Sequence, residues 1–102
     1  MRFPNAALFP HTADVSAQGN LVLGGCDTVE LAAEFGTPLY VFDEVTLREK
    51  CREFVGGFRE RYPDSAVIYA CKAFISVALA QLLKEEGLGL DVVSGGELAV
   101  GQ

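Results

Sequence analysis

The sequence predicts an α/β fold built on a parallel sheet, and three observations carry that reading. Residues 66–71 are an unbroken apolar run, the pattern of a strand buried on both faces of a parallel sheet. Helical spacing over residues 76–86, a second apolar segment at Leu90-Asp91-Val92-Val93 and a helix opening at Ser94 then give the order strand, helix, strand, helix. Two strands joined in this way form a right-handed βαβ crossover. Finally, 102 residues make at most one domain, whereas a complete eight-stranded α/β barrel needs roughly 250. Two sheet strands leave their faces and edges uncovered, and no internal repeat is long enough to close the unit on itself. The chain therefore reads as the first part of a larger protein.

Taken in order, residues 1–25 show little periodicity, with Pro4, Pro10, Gly19, Asn20, Gly24 and Gly25 as breakers. Leu21-Val22-Leu23 is a short strand after the Gly19-Asn20 turn, in an arm expected to pair elsewhere. Asp27 opens a helix as its N-cap, Glu30 completes a capping box, and Val29, Ala32 and Ala33 recur at helical spacing. Gly36 ends this helix and Thr37-Pro38 stops it continuing. Leu39-Tyr40-Val41-Phe42 reads as a short strand, and Asp43 caps the helix that follows.

From Glu44 to about Arg61, Leu47, Cys51, Phe54, Val55, Phe58 and Tyr62 mark the apolar face of an amphipathic helix. Gly56-Gly57 within it costs up to about 1 kcal/mol per residue relative to alanine, which leaves room for a kink or an early end. Pro63-Asp64 closes the element. In the helix over residues 76–86, Val77, Leu79, Leu82 and Leu83 are the buried positions, Lys84, Glu85 and Glu86 the exposed ones, and Gly87 the stop. Ser94 and Glu97 form a second capping box.

A net charge of −6 and a pI near 4.6 argue against nucleic acid or an anionic membrane as the main partner. Residues 66–83 are nearly long and apolar enough to span a bilayer. They carry Lys72 near the middle, with Ser76 and Gln81, and a strand followed by a helix explains them better. Cys26, Cys51 and Cys71 are odd in number and lack Cys-x-x-Cys spacing, and His11 is the one histidine. Neither a disulfide framework nor a metal site is supported, and buried or half-buried free thiols are expected. The start shows no secretory pattern, which makes the cytoplasm the default location.

Lys72 is the chemical centre, because the residue after a parallel strand faces the crevice or barrel mouth where ligands bind. Beside a low-dielectric sheet an ammonium loses hydration, which favours the neutral amine able to form a Schiff base. From pattern alone, the commoner reading is that Lys72 is simply the first solvated residue after a core strand. Asp91, a carboxylate within an apolar strand, either meets a partner or marks a solvated strand end.

Three segments, in matching order and spacing, resemble the amino-terminal part of the diaminopimelate decarboxylases. They are Phe35-Gly36-Thr37-Pro38-Leu39-Tyr40-Val41-Phe42-Asp43-Glu44, Tyr69-Ala70-Cys71-Lys72-Ala73-Phe74, and Gly87-Leu88-Gly89-Leu90-Asp91-Val92-Val93-Ser94-Gly95-Gly96-Glu97-Leu98. The resemblance covers residues from about 21 onward, and Phe74 stands where the wider fold often has asparagine. It implies the first βα units of a (β/α)8 TIM barrel of the alanine-racemase type, binding pyridoxal 5'-phosphate (PLP) and left incomplete here. Residues 1–26 would be an arm pairing with a carboxyl-terminal β domain, and residues 27–102 the start of the barrel. The implied cofactor-binding residues are Lys72, joined covalently to PLP and catalytic, with Ala70 and Asp91 beside it. The implied reaction takes meso-2,6-diaminopimelate to L-lysine and CO2 in a homodimer with active sites at the interface. Ornithine, arginine or carboxynorspermidine decarboxylation, or PLP carriage without turnover, are the alternatives.

Overall fold

The computed structural model describes residues 3–92 and 94–102. They form two compact units, one up to Leu47 and one from Arg48 onward.

In the first unit, β1 (Asp14–Val15), β2 (Leu21–Leu23) and β3 (Cys26–Asp27) make an antiparallel sheet in the order β1-β2-β3. The arm thus supplies both ladder partners of β2, pairing Asp14 with Val22 and Leu23 with Cys26. Helix α1 (Thr28–Phe35) packs on β2 and β3. Its N-cap is Asp27, whose carboxylate accepts from the N–H groups of Val29 at 2.8 Å and Glu30 at 3.4 Å.

Leu39-Tyr40-Val41-Phe42 is not a strand. A strand exists only through a ladder, and this segment belongs to neither of the two sheets; Tyr40 is 89 % exposed. Helix α2 (Glu44–Arg61) follows, capped by Asp43, which accepts from the Thr46 N–H at 3.2 Å. It runs through Gly56-Gly57 without interruption, since the capped start and the sixteen other helical residues outweigh the propensity cost of two glycines.

Asp43 is buried and ties the first unit together. The Thr46 hydroxyl donates to it, that hydroxyl accepts from the His11 N–H at 2.8 Å, and Thr12 hydrogen-bonds to Asp43 while accepting from the Gly24 N–H at 2.8 Å. Gly24 has a φ of +57°, and a Cβ there would lie 3.1 Å from Asp43 Oδ1, so this turn suits glycine on both counts. Burial works to raise the Asp43 carboxyl, but the donors from Thr46 and Thr12 outweigh it and hold the group below its ordinary value.

The second unit holds β4 (Ile68–Ala70), α3 (Val77–Glu85), β5 (Gly89–Asp91) and α4 (Gly95–Gly101) after the body of α2. β4 and β5 pair in parallel, with Ile68, Tyr69 and Ala70 opposite Gly89, Leu90 and Asp91. Tyr69 and Leu90 are half-buried, while Ile68, Ala70, Gly89 and Asp91 are exposed. The expectation of burial on both faces is therefore corrected: one face of this pair is open, and Ile68 on it is 63 % exposed. β5 also begins one residue earlier than expected, at Gly89, and Val93 lies outside the described residues.

Helix α3 buries Leu79, Leu82 and Leu83 against its surroundings, contributing roughly 1.5–3 kcal/mol for each. Val77, expected to be buried, is 58 % exposed, because, two residues before Leu79, it is rotated about 200° around the helix and lies on the opposite side from that face. Ser76 caps the start, accepting from the Leu79 N–H at 3.1 Å. The end is a Schellman motif: Gly87, at a φ of +85°, donates to the Lys84 carbonyl at 3.1 Å and Leu88 to the Leu83 carbonyl at 2.9 Å.

Glu86 corrects the expectation of an exposed charge, since its side chain is 8 % exposed. Arg48 reaches it at 2.8 Å and Arg52 at 2.9 Å, both from α2. On α2, Cys51 is buried, whereas Phe54, Phe58 and Tyr62 of the expected apolar face remain exposed. Residues 66–83 divide into β4 and α3, and among the described residues no helix is long and apolar enough to cross a membrane.

Candidate functional site

Lys72 lies two residues beyond the end of β4, exposed, in the turn that leads from the parallel pair towards α3. The alternation of β4 sends Tyr69 to the half-buried side and Ala70 to the open one. Asp91 is the ladder partner of Ala70, so these two share the open face one strand apart. Lys72 lies past the end of the ladder, and its position is set by the turn rather than by strand pairing.

Several hydrogen bonds hold that turn. The Cys71 N–H donates to the Asp91 carbonyl at 3.0 Å, and the Ala73 N–H to the Ala70 carbonyl at 3.2 Å. The Tyr69 hydroxyl donates to the Phe74 carbonyl at 2.7 Å. This last contact is not legible in the sequence, because a backbone acceptor leaves no residue signature.

Cys71 is buried next to Lys72. Burial first, then the carboxylates of Glu97 and Asp91, push its thiol upward, which keeps it protonated and unreactive. Cys51 is likewise buried and raised, by burial first and then by Glu86, while Cys26 is exposed, contrary to the expectation of burial or half-burial. Cys26 sits on an edge strand of a two-layer unit too thin to cover it. Ser94 caps α4, accepting from the Glu97 N–H at 3.1 Å, and so acts as the helix opening that its spacing indicates.

An exposed primary amine just beyond the carboxyl end of a parallel strand, with a methyl group at Ala70 and a carboxylate at Asp91 on the near end of the open face, suits an aldehyde cofactor with a flat ring. The amine offers a covalent hold, the small side chain of Ala70 leaves room, and the carboxylate offers a polar contact.

Comparison with known proteins points to the same chemistry. The chain is 53 % identical over 90 residues to a diaminopimelate decarboxylase of Bacillus methanolicus, a match covering 88 % of this chain and 21 % of the relative. It is 47 % identical over 96 residues to the diaminopimelate decarboxylase of a Synechocystis strain (93 % and 20 %), and 49 % over 92 residues to that of Bacillus subtilis (89 % and 21 %). The chain thus spans about a fifth of the length of the curated relatives it matches. Residues 46–102, which include β4, Lys72 and β5, match the family model described as the pyridoxal-binding domain of the pyridoxal-dependent decarboxylases, and the chain belongs to that family.

Proposed function

We propose that the full-length protein is a PLP-dependent decarboxylase that converts meso-2,6-diaminopimelate to L-lysine and CO2, the last step of lysine biosynthesis. The observation that carries this is the exposed amine of Lys72 at the carboxyl end of β4, inside the segment that matches a pyridoxal-binding domain. The relatives' names supply the substrate.

In this reading β4 and β5 are neighbouring strands of a (β/α)8 barrel, and their open face looks into its interior. Residues 1–26 form an arm whose edge strands β1 and β3 meet a carboxyl-terminal β domain. The protein is cytoplasmic and works as a homodimer with its active sites at the interface.

Bound PLP supplies the conjugated ring that takes up the electron pair left on carbon when CO2 departs. The chain presents Nζ of Lys72 for the covalent hold and keeps the neighbouring position small at Ala70. The Asp91 carboxylate, one strand away at about 4.8 Å of backbone separation, orients the lysine or the ring through a hydrogen bond.

Measuring kcat/KM of the full-length protein for meso-diaminopimelate, ornithine, arginine and carboxynorspermidine tests the assignment. Diaminopimelate should lead by on the order of a hundredfold or more, as expected where buried polar groups recognise the distal end of the substrate. Faster turnover of any of the other three, or PLP binding with no release of CO2 from any of them, would sink it.

A further inference from the structure

We propose that Tyr69 is a positioning residue for Lys72, acting through the backbone carbonyl of Phe74. This rests on the reading of Lys72 as the lysine that holds PLP.

A lysine side chain has four rotatable bonds, so where its amine can go depends first on how firmly its backbone is fixed. Lys72 lies outside both β4 and α3, and its turn cannot draw on the repeated hydrogen bonds of either. Of the bonds that hold the turn, those from the Cys71 and Ala73 amides run between backbone groups, and almost any residue could make them. The bond from Tyr69 to the Phe74 carbonyl, at 2.7 Å, depends on side-chain chemistry: a hydroxyl on an arm the length of a phenol. It spans the turn from the residue before Ala70 to the residue after Ala73, with Lys72 enclosed between.

Tyr69 is itself well placed to serve as an anchor. It is a ladder residue of β4 opposite Leu90, and its ring is half-buried on the side away from the open face. It therefore has no need to touch substrate or cofactor in order to matter. Burial first, then the neighbouring Cys71, raise the phenol above its ordinary value, with the bond to Phe74 pulling the other way. The group stays protonated and donating throughout the neutral range.

The test replaces Tyr69 by phenylalanine (Tyr69→Phe) in the full-length protein, keeping the ring and removing the donor. In the cofactor-free protein, amide hydrogen exchange at Ala73 should quicken about five- to tenfold, the factor expected from one lost hydrogen bond. The amides of α3 should be unchanged. On adding PLP, growth of the visible absorption should slow by a similar factor. The final amount trapped on Lys72 by borohydride, located by peptide mapping, should match the wild type. Putting 4-aminophenylalanine in place of Tyr69 restores a donor and should return both rates towards wild type, whereas 4-methylphenylalanine, of similar size but without a donor, should not; a purely steric role would make the two alike. Wild-type exchange and wild-type loading in Tyr69→Phe would overturn the role of Tyr69 alone. Trapping of PLP on a lysine other than Lys72 in the wild type would overturn the reading of the site, and this role with it.

Discussion

The N–H of Cys71 donates to the carbonyl of Asp91 at 3.0 Å, which fastens the residue before Lys72 to the neighbouring strand. Asp91 thus holds the lysine turn with its backbone and offers its carboxylate separately to the open face. Substitution divides the two roles, since any residue at position 91 keeps the carbonyl. In the full-length protein, Asp91→Ala should retain covalently bound PLP and its visible absorption while kcat falls by about ten- to a hundredfold, the cost of lost orientation. Loss of the bound cofactor in Asp91→Ala would show that the carboxylate acts in binding instead.

Lys72→Ala should remove the visible absorption completely and leave nothing for borohydride to trap. A covalent hold on an aldehyde needs a primary amine at the site, and alanine has none. The fold should be little affected, because Lys72 is exposed and no regular element includes it. A spectrum like that of the wild type would transfer the role to another lysine.

Acid should loosen both units by the same physics. Hydrogen bonds from Arg52 and Arg48 hold the Glu86 carboxyl below its ordinary value, and the donors around Asp43 do so for that group. A carboxyl whose pKa is lower in the folded state contributes stability that is fully present above its unfolded value, about 4, and lost as pH falls through the folded one. Stability of the full-length protein should therefore be level near neutrality and decline below about pH 4. Glu86→Gln should flatten that decline, because glutamine cannot titrate, while lowering the melting temperature at pH 7. An unchanged acid limb in both Glu86→Gln and Asp43→Asn would exclude these two groups as its source.

Removing the Asp43 carboxylate altogether should cost more than losing an ordinary surface acid. Asp43→Ala deletes the cap of α2 and leaves the hydroxyls of Thr12 and Thr46 without their shared acceptor, a loss of about 1–2 kcal/mol. Denaturant melts of the full-length protein would measure it, with Glu44→Ala, one residue along and exposed, as the comparison. Equal effects from the two would deny Asp43 its place as the hub.

What could be read from the sequence was what is local. Asp27, Ser94 and Gly87 announce helix ends because a cap or stop is decided by residues within one turn, and each acts as its spacing indicates. Leu39-Tyr40-Val41-Phe42 has the composition of a strand, yet a ladder requires a second segment that composition cannot supply. Glu86 reads as one more charge in a solvated row. Only the approach of Arg48 and Arg52, more than thirty positions earlier in the chain, buries it. At the candidate site, Lys72 and Asp91 are legible as residue types at or just past a strand end. The bond from Tyr69 to a backbone carbonyl is not, since any residue at position 74 would offer the same acceptor.

The open surfaces give a last expectation, for residues 1–102 produced alone. Ile68 on the β4–β5 face is 63 % exposed, and Phe54, Phe58 and Tyr62 stand in a row along α2 at 57, 51 and 68 %. Contiguous apolar surface of this kind is rarely left in water by a stable monomer. Among the described residues the buried apolar positions are Ala13 in the first unit and Cys51, Cys71, Leu79, Leu82 and Leu83 in the second, which is thin for a chain of this size. The isolated segment should therefore unfold over a broad range without a cooperative transition, bind a hydrophobic dye such as ANS, and associate as its concentration rises. It should develop no stable PLP absorption and release no CO2 from diaminopimelate. A sharp, concentration-independent melt of a monomer would mean that these surfaces are covered from within the segment itself, contrary to their exposure.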